Sequence, residues 1–268
     1  MLNTLFANAS VFLIIAVRCF AFLMSMPLFS LKSVSTIVKV ALSGYMAFFI
    51  LPNVNFNVYS QFSSFETTMN MYFILVLIGE ALIGIIIGMF VSIIFSAFST
   101  AGQFFALQMG FSASEVYDSF SQVENPLMGQ YLNLIAMLIF LQTGAFQVLF
   151  FDGLKESFSS LSAYSLIEGN QPLVKMLIKG LSKLFSNALV ISIPLMGSLM
   201  LVSICMGILS KAAPQMNLLS EGFPIMILLS FFILTALLPS LCDFFVRAFY
   251  SGFSVIEKLF LSFGGKQI

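Results

Sequence analysis

The sequence predicts an all-α fold of the polytopic membrane type, built from helical hairpins with about six long hydrophobic helices, some of them kinked. Three observations carry this. The 268-residue chain is 60% hydrophobic and only 8% charged, whereas a soluble domain of this size carries about a quarter charged residues and needs them to cover its surface. Its mean hydropathy is +1.06. Its apolar residues also fall in runs long enough to cross a bilayer, which takes about 20 helical residues for a 30 Å hydrocarbon core.

The runs come in order. Leu5–Leu28 lacks the basic lead of a cleaved secretory signal and reads as a retained first span. Val34–Leu51, Met71–Thr100, Leu127–Phe151, Leu184–Leu209 and Phe223–Phe249 follow. Between them, Pro52–Asn70 is polar and Asn-rich, and Asp152–Pro172 is rich in Ser and charge. Both read as loops. Ser210–Gly222 is a third connection, with Pro214 ending the helix before it. Pro194 and Pro239 fall inside the last two runs, where kinks are expected because neighbouring groups can satisfy the freed carbonyls.

Composition also excludes functions. Net charge is zero, so there is no electrostatic footprint for nucleic acid. No Gly-rich loop precedes a Lys-Ser or Lys-Thr, so no nucleotide-binding P-loop is present. The absence of histidine removes the commonest general base and metal ligand. Cys19, Cys205 and Cys242 are scattered through apolar runs and read as reduced and buried. No acids are paired at a useful spacing and no base accompanies the serines, so neither catalysis nor a cofactor or metal site is expected. Orientation stays open. The cations after the first run favour an outside N-terminus, while Lys155, Lys175, Lys179 and Lys183 favour the opposite.

Four features invite function. Glu80, Gly84, Gly88, Ser92 and Ser96 recur at a four-residue step in the third run. Such a stripe packs closely on another helix, of this chain or of another subunit. Glu80 costs about 2.5–3.5 kcal/mol to insert unpaired. Pairing with Arg18 or Lys39 is the favoured expectation, ahead of a proton-relay or pore-facing role. Asp243 and Arg247 stand at i, i+4 and are expected to form an ion pair. Pro172–Phe185 puts Lys175, Lys179 and Lys183 on one face of an amphipathic helix suited to a membrane surface. Finally, Gly102–Pro126 ("GQFFALQMGFSASEVYDSFSQVENP") holds three acids and no base amid apolar neighbours. On the residues alone it is a loop between spans.

Several motifs together carry a resemblance: Arg18 with Pro27 in "RCFAFLMSMPLFS", "GEALIGIIIG" from Gly79, "GQFFALQMG" from Gly102, and "GILSKAAPQMNLLSEGFPIMI" from Gly207. Across about Arg18 to Phe249 the chain resembles the FliR family of the flagellar type III export gate, and less closely the virulence-secretion (SctT) homologues. The resemblance implies a single gate domain over residues 1–268. Residues 1–171 would be like a FliP subunit and 172–268 like a FliQ hairpin. It implies partnership with FliP-like and FliQ-like subunits, and with an FlhB-like protein, in the bacterial inner membrane at the flagellar basal body. The cargo would be unfolded protein, with no enzymatic step. It also implies that Gly102–Pro126 is a channel plug. Phe104, Phe105, Met109, Phe111 and Phe120 would supply bulk, with Gln108, Gly110, Glu115 and Asp118 in the same segment; Met is especially deformable. A secondary transporter using Glu80 as its coupling carboxylate is the rival from another class.

Overall fold

The computed structural model describes residues 9–30, 34–53, 71–110, 127–163, 171–212 and 218–264. Among these residues the chain is helical and no strand occurs. Three of the helices are long and apolar enough to cross a membrane, and a broken pair makes a fourth if taken together.

Helix α1 (Ala9–Ser25) stops two residues before Pro27, which opens the four-residue helix α2 (Pro27–Ser30). Proline suits a first turn because its missing N–H had no partner there in any case. The Met26 N–H still reaches the Phe22 carbonyl at 3.1 Å, so the turn is tight. Helix α3 (Thr36–Ile50) follows Ser35 in extended conformation and ends in a 3₁₀ turn, Leu51–Asn53, that contains Pro52. Helices α1 and α3 pack against each other. Among the described residues, the first expected span, Leu5–Leu28, is thus a helix that breaks after Ser25 rather than one continuous crossing; residues 5–8 lie outside the described residues.

Helix α4 runs unbroken from Met71 to Met109. Its 39 residues make about 58 Å of axis at 1.5 Å per residue. This corrects the expectation that a loop begins at Gly102. Residues 103–109 contain no breaker, and Ala, Leu, Gln and Met favour helix. The helix stops where Gly110 takes φ 82°, the left-handed conformation that glycine adopts freely. The run Leu127–Phe151 is split in the other sense. Helix α5 (Leu127–Gln142) ends before Gly144, at φ 68°. The Thr143 hydroxyl and N–H both bond the Ile139 carbonyl at 2.9 Å. A three-residue helix α6 (Ala145–Gln147), a π-helical turn (Val148–Gly153) and α7 (Leu154–Ser160) follow. The stretch expected as a loop, Asp152–Pro172, thus contains a helix. Leu154, Phe158 and Leu161 place an apolar stripe on it despite its polar composition, and all three are buried. Helices α8 (Gln171–Ala212) and α9 (Leu218–Gly264) complete the chain and run through Pro194, Pro224 and Pro239.

The described residues form two compact units. The first draws on Met1–Ile93, Gly144–Gly180 and Tyr250–Ile268; the second on Ile94–Thr143 and Leu181–Phe249. The core of the first holds Ile14, Ile15, Phe22, Leu23, Met46, Ile83 and Ile87. The second is organised by phenylalanine. Phe95, Phe98, Phe140, Phe245 and Phe249 are all buried. Their ring centroids lie 4.2 Å apart for Phe98–Phe245 and 5.1 Å apart for both Phe95–Phe249 and Phe140–Phe249. These tilted and edge-on contacts are the favoured aromatic geometries.

Candidate functional site: a buried ion-pair knot and its surroundings

Arg18 and Glu80 are fully buried in the first unit and form a salt bridge. Arg18 sits on α1 and Glu80 on α4. The Arg18 Nε–H donates to Glu80 Oε2 at 2.6 Å. Arg18 Nη1 donates to the Ser157 carbonyl at 2.8 Å and to its hydroxyl at 3.2 Å, and Nη2 donates to the Leu161 carbonyl at 2.8 Å. The guanidinium also lies 4.0 Å from the centre of the Phe158 ring, within cation–π range. The second carboxylate oxygen of Glu80 accepts the Ala163 N–H at 2.9 Å.

Local structure explains why these groups meet. Leu161 is extended, φ −123° and ψ 127°, so α7 ends there; the Ser157 carbonyl takes both the Leu161 N–H at 3.0 Å and the guanidinium, and the Leu161 carbonyl turns to Arg18 instead of continuing the helix. The planar fork of an arginine can take several such acceptors at once, which a lysine cannot. Gly79 lets this segment close on α4, because a Cβ there would lie 2.8 Å from the Ala163 methyl. A Cβ on Gly84 would collide with the Arg18 carbonyl, and one on Gly88 would lie 2.8 Å from the Phe22 carbonyl. The Glu80, Gly84 and Gly88 part of the stripe is therefore covered by α1 of the same chain. Ser92 is half-buried and Ser96 exposed. A four-residue step drifts about 40° each time on a helix of 3.6 residues per turn, so by Ser96 the stripe has left that face.

Chemically, the knot is saturated. Both oxygens of Glu80 and all three nitrogens of Arg18 have partners, which leaves no obvious path for a proton. Its capability is mechanical, tying α1, α4 and the end of α7 together. The guanidinium's other partners, Ser157, Phe158 and Leu161, lie in the stretch whose Ser-rich composition reads as a loop; the 154, 158, 161 apolar spacing is the signal for them.

The remaining residues fall elsewhere. Phe105 and Met109 are fully buried in the second unit, Phe104 and Gln108 half-buried, all on the last turns of α4. Gly102 faces α5, where a Cβ would lie 2.5 Å from the Met128 carbonyl. Phe111, Glu115, Asp118 and Phe120 lie outside the described residues. Asp243 and Arg247 do not form the expected ion pair: both are exposed, and no salt bridge joins them. An exposed i, i+4 pair gains only a few tenths of a kcal/mol. Arg247 instead lines a cleft of about 120 Å³ beside Pro194 and Phe244, and its aliphatic stem can cover apolar surface there. Lys39 is buried on α3. Cys19 is buried, but Cys205 is exposed on α8. No cluster of potential metal ligands occurs among the described residues.

Comparison with known proteins then decides the family. Residues 9–252 match the model of the bacterial export proteins, family 1. The chain is 33% identical over 242 residues to the flagellar biosynthetic protein FliR of Borreliella burgdorferi, covering 90% of this chain and 87% of that one. The chain belongs to the FliR family of bacterial export proteins. The flagellar biosynthetic protein FliR of Bacillus subtilis is 28% identical over 235 residues, 87% of this chain and 88% of that protein. The surface presentation of antigens protein SpaR of Shigella sonnei is 26% identical over 155 residues, 58% of this chain and 59% of that protein. The ion-pair knot and the glycine contacts with α1 thus lie within the region matched to the family.

Proposed function

We propose that this protein is a structural and gating subunit of the flagellar type III export gate in the bacterial inner membrane. It assembles with FliP-like and FliQ-like subunits, residues 1–171 taking the FliP-like place and 172–268 the FliQ-like one. An FlhB-like protein is a further neighbour. Together they line a channel for unfolded flagellar proteins. The flagellar reading is preferred to the virulence one because the FliR relatives align over nine-tenths of the chain and SpaR over little more than half.

One observation carries the assembly reading. Exposed apolar side chains occur along α4 from Met71 to Leu107, on a helix whose one charged residue, Glu80, is buried. That is about 54 Å of helix axis at 1.5 Å per residue, against a hydrocarbon core of about 30 Å. Fitting it into lipid by tilt alone would need more than the roughly 40° upper range of membrane helices. Other polypeptide must cover the remainder. A transporter reading has less support, because Glu80, its one coupling carboxylate, is engaged at both oxygens.

Gating is assigned to the segment beyond Gly110, including Phe111, Glu115, Asp118 and Phe120. Phe104, Phe105, Gln108 and Met109 anchor it on α4. Two measurements test this reading. The tagged chain, co-expressed with the FliP-like and FliQ-like proteins of the same genome, retains both through purification; its recovery as a stable solitary protein refutes the assembly. Deleting residues 111–122 leaves that complex intact but raises ion conductance across reconstituted membranes; an unchanged conductance refutes the plug.

A further inference from the structure

A groove of about 420 Å³ opens in the first unit between the π-helical turn with the start of α7 and the last turns of α9. Its floor is apolar: Leu149 and Phe260 are buried there and Phe253 is half-buried. Its rim is acidic. Asp152 and Glu156 stand one helical turn apart on one side and Glu257 on the other, all three exposed. Lys155 and Lys258 are chain neighbours of these acids, yet no ion pair reaches any of the three among the described residues. The Ser160 hydroxyl donates to Glu156 Oε1 at 3.3 Å, a neutral contact that leaves the charge uncompensated. Three like charges around an apolar hollow oppose one another and attract cations.

We propose that this groove docks a cationic amphipathic helix of a neighbouring protein subunit. An apolar side chain of that helix fills the floor, and lysines or arginines one turn apart meet Asp152 and Glu156. The match is geometric as well as electrostatic, because residues four apart on a helix share a face. Anionic lipid headgroups are a poor occupant, since the rim repels them. The proposal relies on the assembly reading only for the origin of the partner.

The test uses the full chain in zwitterionic detergent. The probe is a fluorescent synthetic amphipathic helix with leucine on one face and lysine at four-residue steps, and its twin carries glutamate instead. The lysine helix binds, the glutamate twin does not, and added salt weakens the complex. In the D152N/E156Q/E257Q variant binding falls about tenfold or more, as expected for three rim charges of under 1 kcal/mol each. Those side chains are exposed, so an unchanged melting temperature shows that the fold is retained. Equal binding of the two helices, or equal binding by the variant, overturns the proposal. So does displacement of the helix by millimolar magnesium, which would make this a metal site. Capture of phosphatidylglycerol vesicles through the same three acids overturns it too. The probe needs no partner subunit, so failed co-purification of the gate and failed binding at the groove are separate results.

Discussion

The two units of this protein hold their helices together by opposite means. The first uses a buried ion pair, Arg18–Glu80, wrapped in backbone acceptors and backed by close glycine contacts on α4. The second uses a cluster of phenylalanines with one of its closest approaches at Gly102. In water the second design would be the stronger, because burying aromatic area is the main driving force. In lipid the unfolded reference is itself apolar, so most of the transfer gain disappears and packing remains. A charge pair behaves in the reverse way: separated in hydrocarbon, each partner is costly, so the two hold their helices in one register. The knot specifies an arrangement, and the phenylalanines fill whatever arrangement is specified.

Four substitutions sharpen or break this contrast, in falling order of effect. Arg18→Met strands the Glu80 carboxylate and should cost about 3–5 kcal/mol, the range for breaking a buried pair. Chemical denaturation in detergent measures it. The double variant R18M/E80M should recover most of that loss; no recovery would show that the backbone bonds, not the charge pair, hold the unit. Gly84→Leu drives a side chain into the Arg18 carbonyl. It should cost about 1–3 kcal/mol or more as an overpacked contact, and the yield of folded protein on gel filtration reports it. Phe249→Ala leaves a cavity among Phe95, Phe98 and Phe140. Without the transfer part of the usual 3–5 kcal/mol for Phe→Ala, about 2 kcal/mol should remain. A loss from F249A equal to that from R18M would refute the contrast between the units. Arg247→Gln, which removes a cation lacking a salt bridge, should change the unfolding free energy by less than about 0.5 kcal/mol, read by the same denaturation.

Much of this was legible in the residues, and the failures have physical causes. Composition set the membrane class, because a chain with so few charges has no other apolar solvent. The Glu80–Gly84–Gly88 step marked a close helix contact, since only small residues admit a neighbouring backbone. It could not name α1 as the neighbour, because a stripe carries no address. Gly102 and Gly110 look alike in sequence, yet one lies inside α4 and the other ends it. The difference lies in Gly102 meeting the backbone at Met128 and Gly129, a contact 26 or 27 residues away that no local pattern encodes. The break at Gly144 is local, a left-handed φ of 68°, and stays hidden because an apolar run with one glycine reads as continuous. Helix α7 was hidden by its serines, which spend their hydroxyls on the helix itself: Ser157 donates to the Leu154 carbonyl at 2.7 Å and Ser159 to the Glu156 carbonyl at 2.8 Å. The Asp243–Arg247 pair failed because spacing permits an exposed pair without compelling it.

The knot also imposes an order on synthesis. Arg18 lies 62 residues from Glu80 and 139 and 143 residues from Ser157 and Leu161. At the usual bacterial pace of about 5–20 residues per second, its carboxylate partner follows some 3–12 s behind it and the carbonyl at 161 about 7–29 s behind. For that interval the first helix carries a cation without its final partners. The knot can close only when the ribosome has delivered more than half of the polypeptide.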